Sequence, residues 1–259
     1  MTPLCDTHSH IFDEAFDADR AEVVDRARET GLDRIILPAI DSESHPRLLE
    51  TLEQYPYICR GAMGVHPTSL TAENIDAELA EVARLLDCGV EWVAIGEIGL
   101  DYYWSREHVE AQHRALRCQL EWSLERALPV IIHTRDAWDD MAALLEEYSG
   151  RGLRGVMHAF CGTIEHYNRI RRTGDWVFGI GGVVTYKKGG VAEVVAQMDL
   201  RDLVLETDAP YLTPVPFRGR RNEPAYVIHT AHRIAEILGK DISHVVTQTR
   251  INTTRIFGI

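Results

Sequence analysis

Six residues with metal-ligand chemistry each close a short apolar run. They are His8 and His10 after Leu4-Cys5, Glu97 after Trp92-Val93-Ala94-Ile95-Gly96, His133 after Val130-Ile131-Ile132, His158 after Val156-Met157, and Asp208 after Leu203-Val204-Leu205. Imidazoles and carboxylates are costly to hold dry and unpaired, so apolar strands that repeatedly end in them imply a group at the strand ends that offsets the desolvation. A pair of divalent cations is the simplest such group. His8 and His10 stand two apart, so on extended backbone they lean to one side and can chelate one ion. Glu97 has Gly96 and Gly99 close by, and its two oxygens can bridge two ions. Asp208 competes with Glu206 in Leu205-Glu206-Thr207-Asp208-Ala209-Pro210. Both lie on one strand face by parity; Asp208 is nearer the rim, and Glu206 is expected to fix a ligand imidazole by accepting its other N–H. A donor set of imidazole nitrogen and carboxylate oxygen without thiolate suits zinc or manganese, while magnesium normally prefers more oxygen.

These residues need a scaffold that delivers strand ends to one place. Eight strand candidates run along the chain: Leu4 to His8, Arg34 to Ile40, Ile58 to Val65, Trp92 to Gly96, Val130 to His133, Gly155 to His158, Trp176 to Ile180 and Leu203 to Glu206. Segments with apolar spacing near 3.6 alternate with them, as in Val109, Leu116, Leu120, Leu124 and Ala127, or Ala137, Met141, Leu144, Leu145 and Tyr148. A later helix carries Val227, Ala231, Ile234, Ala235 and Leu238, with Pro224 near its first turn and Gly239 past its end; the last begins near Asp241. Eight strand-helix units in 259 residues fit a single-domain α/β chain, a (β/α)8 TIM barrel spanning 1–259, better than an open doubly wound sheet. Such barrels place their chemistry at the carboxyl ends of the strands, where the six candidates fall.

Composition narrows the classes. With 40 acidic against 27 basic residues, a formal net charge of -13 opposes broad adhesion to a phosphate backbone, so any nucleic acid is expected to be gripped locally. The absence of an apolar run near 18 residues or a leader pattern predicts a cytoplasmic protein with no membrane segment. Five scattered cysteines without a CxxC pair are expected to be buried thiols rather than disulfides or zinc ligands. Nothing in the pattern calls for an obligate protein partner.

The motifs taken in order carry a family resemblance. Asp6-Thr7-His8-Ser9-His10, Gly64-Val65-His66-Pro67, Gly96-Glu97-Ile98-Gly99-Leu100-Asp101, the Leu128-to-Ala137 stretch, His158-Ala159-Phe160-Cys161-Gly162, Leu205-Glu206-Thr207-Asp208-Ala209-Pro210 and Arg218-Gly219-Arg220-Arg221-Asn222 together resemble the TatD family of metal-dependent deoxyribonucleases, within the amidohydrolase-like TIM barrels. Ala159 stands where that family usually has Cys. The resemblance implies that His8, His10 and Asp208 hold one metal, His133 and His158 the other, with Glu97 bridging. Adjacency in a closed barrel agrees, since strands 1 and 8 meet at the closure and strands 5 and 6 are neighbours. It also implies hydrolysis of DNA phosphodiesters, exonucleolytic on ends or short single strands, with Asp208 as the base for the attacking water.

A second tier surrounds the ligands. His66 is expected to touch a phosphate or the leaving group, the alternative being a structural rim histidine. Asp101 is expected to orient a site residue or the Tyr102-Tyr103-Trp104 segment, whose rings either stack bases or cap the mouth. Arg135 meets a phosphate or pairs with an acid. Arg218, Arg221 and Asn222, in the one dense cationic loop after strand 8, are expected to read a substrate phosphate, the alternative being a solvated charge run. The same metal set could hydrolyse a small amide, ester or lactone, which is the rival reading.

Overall fold

The eight apolar runs form eight parallel strands in the order of the chain: β1 (Leu4–Asp6), β2 (Leu32–Pro38), β3 (Cys59–Met63), β4 (Ala94–Asp101), β5 (Val130–Arg135), β6 (Arg154–Met157), β7 (Asp175–Ile180) and β8 (Leu203–Leu205). The computed structural model describes residues 2–259. Helices α1 (Arg20–Glu29), α2 (His45–Gln54), α3 (Ile75–Leu86), α4 (Val109–Arg126), α5 (Trp138–Glu147), α6 (Ile164–Ile170) and α7 (Val191–Val195) each connect one strand to the next. After β8 come α8 (Val227–Leu238) and α9 (Ile242–Phe257). The sheet closes just beyond the ends of β1 and β8. Thr7 N donates to Leu205 O at 3.0 Å, Asp208 N to His8 O at 2.8 Å and His10 N to Ala209 O at 2.7 Å. The closure therefore runs through the segments that carry His8, His10 and Asp208.

Side-chain alternation explains how an apolar chain delivers polar groups to one mouth. Ile36, Ala62, Ala94, Ile131, Val156, Val177 and Val204, one from each of β2 to β8, cluster inside the barrel with Ile256 and Phe257 of α9. Their sequence neighbours, such as Ile35, Leu37, Ile132, Met157 and Leu205, join the larger core between sheet and helices. Because successive side chains alternate, the residue two beyond each inner apolar position points inward again, one layer nearer the carboxyl end. That rule gives His133 above Ile131, His158 above Val156 and Glu206 above Val204. Each fully buried aliphatic side chain contributes about 1.5–3 kcal/mol, so the layer below supplies the stability that the polar layer above does not.

β4 departs from both the alternation and the expectation. The strand was expected to end at Gly96, with Glu97 past its end; it runs on to Asp101, and Glu97 lies inside it. Counted from Ala94, Glu97 has the parity of the outer face. The pairing with β5 shifts register between Ile95 and Ile98, which resets the phase and turns Glu97 into the mouth. Close approach of the two strands also fixes Gly99, where a Cβ would lie 1.9 Å from His133 O at a φ of 155°.

Pro224 opens a short 3-10 turn (Pro224–Tyr226) that runs into the first turn of α8, and Gly239 caps that helix at a φ of 60°, both as expected. One smaller expectation is corrected. Cys5 and Cys59 are buried, but Cys88 and Cys161 are exposed, because each lies in a connecting segment outside the apolar faces. Among the described residues no helix is long and apolar enough to cross a membrane.

Asp6 fastens the closure. Its carboxylate accepts from His8 N at 3.2 Å, Thr207 N at 2.9 Å and Thr207 Oγ1 at 2.5 Å. Complete burial pushes its pKa up to about 8 against those hydrogen bonds. Thr207→Val removes one donor and leaves a buried carboxyl short of a partner. We expect a loss of about 1–3 kcal/mol in urea unfolding; a loss within error of zero would show that the clamp does not hold the seam.

Candidate metal centre

The six ligand candidates converge at the carboxyl mouth of the barrel. His8 Nε2 lies 3.0 Å from His10 Nε2 and 3.0 Å from Glu97 Oε2, with Asp208 Oδ1 at 3.7 Å from His8 Nε2 and 3.5 Å from His10 Nε2. The other oxygen of Glu97, Oε1, faces a second group: His133 Nδ1 at 3.1 Å, His66 Nε2 at 3.4 Å and His158 Nε2 at 3.9 Å. One carboxylate thus serves two sets of imidazoles, one with each oxygen. Asp208 Oδ1 also reaches within 3.6 Å of His158 Nε2.

The donor set fits divalent cations. Around an ion with bonds of about 2.1 Å, neighbouring ligand atoms stand about 3.0–3.4 Å apart, close to the spacings of the His8, His10 and Glu97 atoms. Nitrogen and oxygen atoms of three groups, His8-His10-Glu97, His66-Glu97-His133 and His8-His158-Glu206, each lie within 4.8 Å of one another. The cluster is short of positive charge: His8 Nε2, His10 Nε2 and Glu97 Oε2 all meet within 3.7 Å, while Nδ1 of His8, His10 and His158, on the far side of each ring, is buried without a hydrogen-bond partner. The proton distribution says the same. Burial holds the His8 pKa down to about 4. Burial would also depress His158, but the surrounding carboxylates of Glu206, Glu97 and Asp208 push it up to about 10, so a proton there stands in for missing positive charge. Glu97 and Asp208 are themselves drawn well below or below the ordinary carboxylate range, the imidazoles outweighing burial.

A second layer sets which nitrogen of each ring is free. Asp101 Oδ2 takes His133 Nε2 at 2.8 Å, which places the ring proton on Nε2 and leaves the Nδ1 lone pair facing Glu97. This is the orienting role expected of Asp101. Glu206 Oε1 lies 3.1 Å from His158 Nδ1, out of line for a hydrogen bond, while accepting Ala159 N at 2.6 Å. Gly179 makes room for that carboxylate, since a Cβ there would meet Glu206 Oε2 at 1.9 Å. His66 differs in kind. Thr68 N donates to its Nδ1 at 3.2 Å, so the neutral ring carries its proton on Nε2, directed at the site. Burial keeps its pKa low and the ring neutral. In this tautomer His66 presents a donor to the mouth. Asp6 and Thr68 are supporting residues that the ligand pattern does not single out. Asp6 carried a usable signal, lying two before His8 on the same strand face, whereas Thr68 had none.

The basic loop is placed differently from its expectation. Arg221 is held by Asp19 through two contacts of 2.7 Å and by Ala15 O at 2.6 Å, and it stacks over Phe16. Asn222 is buried, its amide donating to Thr207 O at 2.8 Å and Tyr211 O at 2.6 Å. Both therefore brace the segment that carries Asp208, and neither faces the mouth. Asp19 had drawn no notice in the sequence, and its pairing is what removes Arg221 from the substrate side. Arg218 is exposed and stacks over Tyr186 at 4.2 Å, also outside the cleft lining. A cleft of about 650 Å³ opens over the ligands, and Arg135 lines it together with Trp104, Phe160, Val183 and Leu212.

A family model described as TatD related DNase matches residues 5–258. The chain belongs to the TatD-related DNase family. The metal-dependent hydrolase YabD of Bacillus subtilis (strain 168), described as uncharacterized, is 36% identical over 257 residues, covering 99% of each chain. A relative from Pantoea ananatis (strain LMG 20103), named 3'-5' ssDNA/RNA exonuclease TatD, is 33% identical over 253 residues, covering 94% of this chain and 95% of its own. The crystal structure of YjjV, a TatD homolog from Escherichia coli K12, superposes with a TM-score of 0.90 at 29% identity, covering 99% of this chain and 98% of that one. Membership of the TatD-related DNases makes this chain a metal-dependent hydrolase of phosphodiester bonds in DNA and sets aside the amide, ester or lactone reading of the same ligands.

Metal loading should release protons. His158 holds one below a pKa of about 10, so at neutral pH a cation on its Nε2 must displace it. Calorimetric titration with zinc at pH 7 in buffers of different ionisation enthalpy should report at least about one proton released per chain, since, against burial, the carboxylates around His133 raise its pKa as well. Zero release would contradict the assignment of His158. The linkage sign also follows. Above the ordinary value of 6.5 the folded metal-free protein binds more protons at His158 than the unfolded chain, so this group's contribution is full below 6.5 and is lost as pH rises towards 10.

Proposed function

We propose that this TatD-related DNase removes nucleotides from single-stranded DNA ends using two divalent ions. One ion would be held by His8, His10 and Asp208 and the other by His133 and His158, with Glu97 shared. The observation that carries this reading is the division of the Glu97 oxygens, Oε2 facing His8 and His10 and Oε1 facing His133 and His158. Zinc and manganese suit the nitrogen-rich donor set, and magnesium is the third candidate.

When bound, such ions lower the pKa of a water towards neutrality and neutralise charge on a phosphodiester. The side chains supply the rest. Asp208 sits at the rim of the cluster with its side chain partly open to the cleft, and the imidazoles of His158, His10 and His8 outweigh its burial and keep it ionised. It is the group to orient the attacking water and accept its proton. His66 presents Nε2–H to the same mouth, where it can hydrogen-bond a non-bridging oxygen or support the departing one. Arg135 lines the cleft and is the phosphate contact there. Arg218 remains an outer contact for a longer strand, whereas Arg221 and Asn222 act by bracing the Asp208 segment.

The Pantoea relative's name, with its 3'-5' polarity and its single-stranded DNA and RNA substrates, supports exonucleolytic action on single strands here. A cytoplasmic setting agrees with five free cysteines, which a reducing compartment keeps as thiols. Metal-loaded protein should hydrolyse single-stranded DNA and bis-p-nitrophenyl phosphate well above a panel of amides and lactones. Asp208→Asn should lower turnover by roughly 10²-fold or more, the scale of lost general-base help, at matched metal content. Faster lactone than diester hydrolysis would refute the substrate class, and near-normal turnover of Asp208→Asn would remove Asp208 as the base.

A further inference from the structure

We propose that Trp104 and Arg135 form a nucleotide subsite beside the metal centre, in which an unpaired base stacks on the Trp104 indole and Arg135 meets the adjoining phosphate. The proposal rests on the phosphodiesterase reading above and names how its substrate is held.

The three consecutive aromatics after Asp101 have separate fates. Tyr102 is anchored inward, its hydroxyl 2.8 Å from Asp140 Oδ2 and 2.8 Å from His113 Nε2. Tyr103 lies beneath Arg135, whose guanidinium carbon is 3.5 Å from the ring centroid. Trp104 is 71% exposed and lines the cleft. An indole so open has little packing role, yet it is held in register with the metal ligands. Asp101 Oδ1 accepts from Tyr103 N at 3.0 Å and Trp104 N at 3.3 Å, while its Oδ2 takes His133 Nε2 at 2.8 Å. The backbone of the next strand closes the arrangement, with Tyr102 N donating to Arg135 O at 2.9 Å. One buried carboxylate thus ties a ligand imidazole to an exposed aromatic face.

Arg135 completes the chemistry. Among the described residues it makes no ion pair, and it is the one Lys or Arg lining the cleft. Its guanidinium lies 5.5 Å from the Trp104 ring, so a phosphate on Arg135 places the attached base beside the indole. A base inside a duplex has both faces covered by its neighbours, so within a strand the position is open to an unpaired nucleotide and closed to a paired one. Stacking on an aromatic face tolerates any base, so the subsite selects strandedness rather than sequence.

The test uses metal-loaded protein and a labelled thymidine hexanucleotide with hydrolysis-resistant phosphorothioate linkages, read by fluorescence anisotropy. A second hexamer of the same linkages carries abasic residues throughout. Trp104→Ala should weaken binding of the thymidine hexamer about tenfold, Trp104→Phe should restore most of it, and Trp104→Ala should bind the abasic hexamer as the parent does. Arg135→Gln should weaken both hexamers. Arg135→Gln should also make the slope of log K against log salt shallower by roughly 0.7, the share of one phosphate contact on a single strand. Tyr57→Ala, an exposed aromatic outside the cleft, serves as the control. Equal losses on both hexamers, a Trp104→Ala effect below twofold, or no binding of the thymidine hexamer would overturn the subsite. Hydrolysis of bis-p-nitrophenyl phosphate without a Trp104 effect on binding would leave the phosphodiesterase reading standing and remove the subsite. Binding with the expected Trp104 dependence, but no hydrolysis of any diester, would do the reverse.

Discussion

Glu97 holds a carboxylate at the centre of five imidazoles, with its side chain almost wholly removed from water. A charge so placed is tolerated only where opposite charge or several hydrogen bonds accompany it. The His66 Nε2–H and the proton on His158 offset only part of that charge, while the remaining rings turn unprotonated nitrogens toward it. A divalent cation between the carboxylate and those nitrogens supplies the rest. The arrangement of the mouth follows from that requirement, including the protonated His158 with which the metal-free cluster compensates.

The barrel meets the requirement through strand parity. An apolar layer from β2 to β8 lies beneath, and on β5, β6 and β8 the residues two positions further along, His133, His158 and Glu206, stand above it. At the β1 and β8 seam the backbone pairing is completed by the same segments that bear His8, His10 and Asp208, so closing the barrel and assembling half of the centre are one event. Asp6, Thr207, Asn222, Arg221 and Asp19 extend that seam outward as a chain of hydrogen bonds and ion pairs. Asp6 and Asn222 meet the ligand-bearing segments at backbone atoms, His8 N and Thr207 O, and the effect of the five is on where His8 and Asp208 stand.

Much of this was legible in the sequence because it depends on local periodicity. Eight apolar runs gave eight strands, and ligands at run ends fell at one face of a barrel. Parity put Glu206 and Asp208 on one face, and position along the strand separated Asp208 at the rim from Glu206 beneath it. What the pattern could not carry was pairing between distant segments. The β4 register shift that turns Glu97 inward comes from its fit to β5, and reading outward from Ala94 gives the wrong face. Arg221 and Arg135 look alike in sequence, each a cation near a strand end. Asp19, two hundred residues away in the chain, occupies the first, and the second is left facing the cleft. The tautomer of His66 likewise depends on the turn formed by Pro67 and Thr68, so donor and ligand histidines are indistinguishable until that turn is built.

The central claim is that one carboxylate joins two ions at this mouth. Anomalous diffraction from crystals of manganese-loaded protein, collected above and below the manganese edge, tests it most directly. The account predicts two anomalous peaks flanking Glu97, one against His8, His10 and Asp208 and the other against His133 and His158. A single peak, or two peaks that leave Glu97 unligated, would contradict it.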